Sequence, residues 1–231
     1  MDLPEKENLE LTILMPCLNE SATLAFSIDE AMRFLRDRQI SGEVLIADNG
    51  STDDSVKVAE SCGARVVSEP RRGYGLALRC GIQNARGRYI ILGDSDTTYD
   101  FYHLDGLYDA LKNGADAVVG DRFAGGIEPG AMPFSHRIGV RFLSLCGRLK
   151  FHTKVRDFHC GLRGLTQAAA GEVEFKSDGM EFATEFIAVL AKSGYNIEQV
   201  PVPLRCCKVK RKPHLRTVRD GFRHLWFILQ F

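Results

Sequence analysis

Nowhere does this chain of 231 residues carry the roughly 20 consecutive apolar residues that a membrane-crossing helix needs. The first residues are acidic and lack the basic-then-apolar pattern of a secretory leader. Cysteine occurs seven times, an odd number, and no Cys-x-x-Cys pair is present. That argues against a disulfide framework and for a reduced, cytosolic setting. Net charge is missing as well. Thirty basic residues balance thirty acidic ones, which argues against bulk nucleic-acid binding. No internal repeat and no low-complexity segment occurs.

What is present suits one large α/β domain. The chain is 45% hydrophobic and 26% charged, ordinary for a globular protein with a sizeable core. We expect a single domain over residues 1–231, with 204–231 as a basic, amphipathic C-terminal segment. Charge is uneven along the chain. Between Arg205 and Arg223 lie Lys208, Lys210, Arg211, Lys212, Arg216 and Arg219, with Asp220 as the one acid. Such a block is either a solvated face or a surface for anionic lipid or phosphate. Cys206-Cys207 beside it reads as two small, part-buried residues, with acylation as the alternative.

Short apolar runs alternate with helical periodicity. Leu11–Met15, Glu43–Ala47, Ala64–Ser68 and Tyr89–Leu92 read as strands. Leu24, Ile28, Met32 and Leu35 mark the first helix, and Asp54–Cys62 and Tyr74–Ala85 the next two. This alternation predicts a doubly wound, mostly parallel sheet, whose ligands bind beyond the carboxyl ends of the strands. The second half predicts a helix over Phe101–Lys112 and a strand over Ala115–Val119. A Gly/Pro-rich functional loop over Ala124–Gly130 follows. Helices are expected over His136–Lys150, with Ile138, Phe142 and Leu145 on one side, over Gly179–Ser193, and over His214–Phe231. Ile197–Val202 reads as a strand. In the last helix Leu215, Val218, Phe222, Leu225 and Leu229 recur at helical spacing opposite a basic face.

Asp94-Ser-Asp96 is the most informative feature. It follows the buried run Tyr89–Leu92 and Gly93, so two carboxylates stand at a strand's carboxyl mouth. Two acids so placed can grip a Mg2+ or Mn2+ ion that also holds a diphosphate, since hard cations prefer carboxylate and phosphate oxygens.

The ordered set of short motifs is similar to that of family 2 glycosyltransferases of the GT-A fold, and within them to the bacterial relatives of dolichol-phosphate mannose and glucose synthases. The resemblance rests on Met15-Pro-Cys-Leu-Asn-Glu20, Ala47-Asp-Asn-Gly-Ser-Thr-Asp53 and Leu92-Gly-Asp-Ser-Asp-Thr-Thr-Tyr-Asp100. It continues through Val119-Gly-Asp-Arg-Phe123, Asp157-Phe-His-Cys-Gly161, Gly179-Met-Glu-Phe-Ala183 and the stretch from His214 to Leu225. It implies a Rossmann-like GT-A sheet with a C-terminal amphipathic helix and a nucleotide-sugar donor, UDP-glucose first and GDP-mannose second. Pro16, Leu18, Glu20 and Asp48 match base- and ribose-holding positions, although Glu20 and Asp48 equally suit helix capping. Asp94 would lie near the ribose or the metal, and Asp96 on the metal. Where some members have a further glutamine ligand, this chain has Thr98.

A hydroxyl acceptor needs a general base. A phosphate monoester, with a second pKa of roughly 6, does not. It needs cations, and arginine forks suit it. Arg122 and Arg137 match the family's acceptor-phosphate arginines, and Arg141 lies one turn beyond Arg137. Arg122 could instead pair with Asp121 or Asp157. Glu181, which shares a helix face with Glu185, and Asp157 would orient the site; His159 and Arg163 would organise the loop around Asp157. The expected reaction is an inverting transfer of a hexose to a polyprenyl phosphate by a peripheral protein on the cytoplasmic face of the membrane. Trp226 and Phe227 suit the headgroup level. A homodimer or a membrane-protein partner remains open. The rivals are transfer to a hydroxyl acceptor and a non-catalytic nucleotide-sugar-binding scaffold.

Overall fold

The computed structural model describes residues 9–209 and 217–231. Strand β1 (Leu11–Cys17) is followed by helix α1 (Leu24–Asp37), β2 (Gly42–Asp48), α2 (Ser55–Ser61), β3 (Arg65–Ser68), α3 (Tyr74–Asn84) and β4 (Tyr89–Leu92). Then come α4 (Asp105–Lys112), β5 (Ala117–Asp121), α5 (Arg122–Gly125), α6 (Phe134–Phe151), β6 (Arg163–Thr166), α7 (Gln167–Glu172), α8 (Phe182–Lys192), β7 (Ile197–Pro201) and α9 (Thr217–Gln230). Seven strands form one sheet in the order β3-β2-β1-β4-β6-β5-β7.

β1 lies mid-sheet because nearly every residue in it is apolar and buried. It pairs in parallel with β2 on one side and β4 on the other, Leu14 facing Leu45 and Leu92. Helix α1 buries Leu24, Ile28, Ala31, Phe34 and Leu35. After β3 the chain crosses back to the far side of β1 to lay down β4. That reversal opens a crevice beyond the carboxyl ends of β1 and β4.

The sheet is mostly parallel, as the alternation of elements predicts. The exception is β6, which runs antiparallel between β4 and β5 and places Arg163 opposite both Leu92 and Val119. A strand running the other way begins where its neighbours end. Residues 157–162, just before β6, therefore lie at the same edge as the ends of β4 and β5.

The two amphipathic helices turn their apolar stripes outward. Among the described residues nine large apolar side chains are exposed, and eight belong to α6 (Phe134, Ile138, Phe142, Leu145, Leu149) and α9 (Phe222, Trp226, Leu229). The face that α9 buries carries Asp220, His224 and Ile228. The predicted residues Lys210, Arg211, Lys212, His214, Leu215 and Arg216, and the side chain of Val218, lie outside the described residues. Cys206 is exposed rather than part-buried, and Cys207 is half-buried.

Candidate active site

Three strand ends supply the donor side. Pro16 is the last residue but one of β1, its carbonyl accepting from the Ser95 hydroxyl at 3.2 Å. Leu18 and Asn19 follow, the latter with φ 56°. Glu20 is buried; its Oε2 accepts from Thr23 Oγ1 at 3.1 Å and its backbone N–H donates to Ser55 Oγ at 2.9 Å. Asp48 ends β2, and its carboxylate accepts the N–H groups of Gly50 (3.1 Å) and Ser51 (3.2 Å). Asp48 closes its own turn through these bonds, Glu20 holds the Thr23 hydroxyl rather than a helix N–H, and both stand at the carboxyl edge. Asn49, which the sequence reading passed over, ties the next loop down. Its amide nitrogen donates to the carbonyls of Glu69 (3.0 Å) and Arg71 (2.8 Å), and its oxygen accepts from Gly73 N–H at 2.7 Å. Gly75 is required there: a Cβ would lie 2.1 Å from the Ser177 carbonyl oxygen.

Asp94 and Asp96 follow β4. The phenol of Tyr74, the first residue of α3, donates to Asp94 Oδ1 at 3.0 Å. Burial, then the Asp94 charge, push that phenol well above the ordinary tyrosine value, so it remains a donor. On the other flank Gly161 abuts Asp94, a Cβ there falling 2.3 Å from Oδ2. Asp96 Oδ1 accepts from the Thr98 backbone N–H at 3.0 Å and from its hydroxyl. Thr98, standing where some members have glutamine, therefore orients Asp96. Thr97 between them has φ 67°, a left-handed conformation that a β-branched residue adopts only under constraint. Residues 205–208 supply it: Arg205 N–H donates to Thr98 O (2.9 Å) and Lys208 N–H to Thr97 Oγ1 (3.1 Å). The Arg205 guanidinium bridges Glu30 (2.8 Å) and Asp100.

Among the described residues no three His, Cys, Asp or Glu side chains gather as a metal cage. Two carboxylates at one strand end fit a hard divalent cation that takes its other ligands from diphosphate and water, as Mg2+ commonly does.

Arg122, directly after β5, is buried and forked onto Asp157: Nε to Oδ2 at 2.7 Å, Nη2 to Oδ1 at 2.8 Å. The carboxylate, wholly buried, also accepts the backbone N–H of Arg122 and of His159, each at 3.3 Å. Of the two pairings that sequence left open, Asp157 is the one formed. Asp121 instead caps α5 through the N–H groups of Phe123 and Ala124, both at 3.0 Å. Arg137 and Arg141, on α6, line a groove of about 330 Å3 with Phe123, Ile127, Phe134 and Ile138. Arg141 lies over the Phe123 ring at 4.6 Å, and Arg137 Nε is buried without a hydrogen-bond partner.

The turn 157–161 spans from Arg122 to Asp94, with His159 in its middle. Both ring nitrogens of His159 are buried and unpartnered. Its ring meets that of His224 edge-on, centroids 4.4 Å apart, and His224 Nδ1 lies 2.8 Å from Thr184 Oγ1. Burial, then His224, Arg122 and Arg163 nearby, hold His159 well below the usual imidazole value. Burial brings His224 down to about 4. Arg163 donates to the Cys160 carbonyl and, at 3.1 Å, to Ala183 O, fastening this turn to α8. Glu181 and Glu185 part ways. Glu181 Oε1 accepts from Arg223 of α9 at 2.7 Å, whereas Glu185 caps the N–H groups of Lys176 (2.7 Å) and Ser177 (2.8 Å).

Residues 12–173 match the model of the family described as glycosyl transferase family 2. The chain is 35% identical to the low-salt glycan biosynthesis hexosyltransferase Agl6 of Haloferax volcanii over 95% of its own length, and spans about half (53%) of that relative. It is 29% identical to a dolichyl-phosphate hexose transferase of the same organism, over 85% of this chain and 83% of that one. The fold is that of glucosyl-3-phosphoglycerate synthase from Mycobacterium tuberculosis, with TM-score 0.78 and 23% identity over 97% of this chain and 80% of that one. That enzyme has also been solved with Mn2+, UDP and glucosyl-3-phosphoglycerate.

Proposed function

Because this chain belongs to glycosyl transferase family 2, we propose that it transfers a hexose from a nucleotide diphosphate sugar, with inversion, to a polyprenyl phosphate at a membrane surface. UDP-glucose is the favoured donor and GDP-mannose the second. The observation that carries the lipid acceptor is the outward apolar face. Phe134 and Ile138 line the same groove as Arg137 and Arg141, and stand 76% and 56% exposed. Cations for a phosphate and apolar surface for its tail thus adjoin. Each such side chain gains about 1.5–3 kcal/mol when taken fully out of water, and a cluster of them marks a binding surface. The 29% identity to a dolichyl-phosphate hexose transferase supports the same reading.

In this reading Glu20 and Asp48 flank the nucleoside with Pro16 and Leu18. Asp94, braced by Tyr74, and Asp96, oriented by Thr98, would hold Mg2+ or Mn2+. When bound, the cation neutralises charge on the departing diphosphate. Arg122, Arg137 and Arg141 draw in the acceptor phosphate, whose dianionic oxygen needs no general base. Asp157 holds Arg122 in place, and Glu181, clamped by Arg223, orients the sugar side. The phosphate oxygen attacks the anomeric carbon, the nucleoside diphosphate leaves from the opposite face, and an α-linked donor gives a β-linked glycosyl phosphate. Positioning and charge supply the rate. The protein acts from the cytoplasmic face, held peripherally by α6 and α9.

The test incubates the purified protein with Mg2+ or Mn2+ and radiolabelled nucleotide sugars, with and without undecaprenyl phosphate. Label should enter the organic phase only when the lipid is present. Transfer to soluble hydroxyl acceptors alone, or donor binding without turnover, would refute the reading.

A further inference from the structure

A second cavity adjoins the acceptor groove. It measures about 350 Å3, and its lining includes Arg141, Arg148, Arg156, Leu145, Phe123 and Asp121. Arg141 and Phe123 belong to both cavities and, stacked at 4.6 Å, form the wall between them. Arg141 and Arg148 are seven apart on α6 and so project from one face. Arg156 comes from the segment after α6, its backbone N–H donating to Gln199 Oε1 of β7. Among the described residues none of the three guanidinium groups forms an ion pair, whereas nine other arginines do. The one carboxylate in the lining, Asp121, is engaged in capping α5. Three cations thus face one anion in a recess, an arrangement that repels itself until an anionic ligand arrives.

The rim indicates the source of that anion. Leu145 lies within the lining, half exposed, and Leu149, one turn on, is 69% exposed. Both continue the outward stripe of α6. Free phosphate has no use for such a rim, whereas a phospholipid has a phosphate to place among the arginines and acyl chains to lay along the leucines. Arginine forks suit a phosphodiester.

We infer that Arg148 and Arg156, with Arg141 as the wall shared with the acceptor groove, form a seat for the headgroup phosphate of an anionic phospholipid beside that groove. This rests on the reading that the protein works at a membrane surface. The seat sets how α6 lies on the bilayer, and hence the depth at which the acceptor groove meets it.

The test measures binding to vesicles of phosphatidylcholine alone and of phosphatidylcholine mixed with phosphatidylglycerol. The wild type should bind the mixed vesicles more tightly. At roughly 1 kcal/mol per basic residue near the surface, Arg148→Gln with Arg156→Gln should weaken that binding about thirty-fold. Lys150→Gln with Arg219→Gln removes the same charge from exposed positions on α6 and α9 outside the cavity, and should weaken it distinctly less. Transfer to detergent-dispersed polyprenyl phosphate should be unchanged in Arg148→Gln/Arg156→Gln. Equal loss in the two double variants would mean diffuse attraction and would overturn the seat. So would equal binding to both kinds of vesicle, which leaves the membrane reading intact. Inorganic phosphate that abolished the preference at low millimolar concentration would make the cavity a general phosphate site and overturn the lipid assignment. Binding to neither vesicle would sink the membrane reading and the seat together.

Discussion

The Arg122–Asp157 pair sits at the junction of fold and chemistry, and its two roles can be separated. Both side chains are nearly or wholly removed from water and share two short hydrogen bonds. Removing one partner of such a pair strands a charge and costs about 3–5 kcal/mol. Arg122→Met should therefore destabilise the fold by about that much, and Asp157→Asn by a similar amount. The amide that replaces the carboxylate would still offer an oxygen to the backbone N–H groups of Arg122 and His159, which Asp157 now accepts. In the double variant no charge is stranded. The remaining loss is one poorly satisfied amide group, about 1–3 kcal/mol. The double variant should thus recover roughly 6 kcal/mol relative to the sum of the singles, measured by urea unfolding. Transfer should not recover with it. Losing a charge-assisted bond worth about 1.5–3 kcal/mol should raise the KM for acceptor roughly ten- to hundred-fold, with donor binding spared. Strict additivity of the two stability losses would contradict the buried pair. A double variant that transferred sugar at the wild-type rate would show that Arg122 is structural only.

Other outcomes follow from the same geometry. Tyr74→Phe removes the donor to Asp94 and should weaken metal-dependent binding of the donor nucleotide by roughly ten-fold, read by calorimetry. Asp96→Ala, or chelation of divalent cations, should abolish transfer while the circular dichroism spectrum stays unchanged. His224 titrates at about 4 when folded, against the ordinary 6.5. A depressed imidazole leaves stability complete above the unfolded value and erodes it as protons bind the unfolded chain. The fold should lose about 2 kcal/mol between about pH 7.5 and pH 5 through this group, a slope that His224→Phe should flatten. Proton NMR of the product from an α-linked donor should show the β anomer, and an α product would contradict direct displacement.

Much of the donor half was legible in the sequence because its strands are short unbroken apolar runs and its acids follow them directly. β1, β2 and β4 are of this kind, and Asp48, Asp94 and Asp96 stand where their ends predict. β6 was not legible. Arg163-Gly-Leu-Thr166 opens on a charge that only tertiary contacts, the carbonyls of Cys160 and Ala183, make tolerable. The braces of the site were equally hidden, since each joins distant segments: Tyr74 to Asp94, His224 to Thr184, Arg205 to Asp100. The periodicity of α6 disclosed an apolar face but not its direction, because the same pattern serves a core or an interface. For α9 the apolar residues Phe222, Trp226 and Leu229 face outward while Asp220 and His224 are buried.

A matched pair of acceptors probes the heart of the account. Polyprenyl phosphate and the free polyprenol of equal chain length differ only in the group that Arg122, Arg137 and Arg141 are held to engage. With labelled donor and a divalent cation, initial rates should show transfer to the phosphate and none above background to the alcohol. Comparable transfer to the alcohol would mean that a general base operates here and that the arginines do not select the nucleophile.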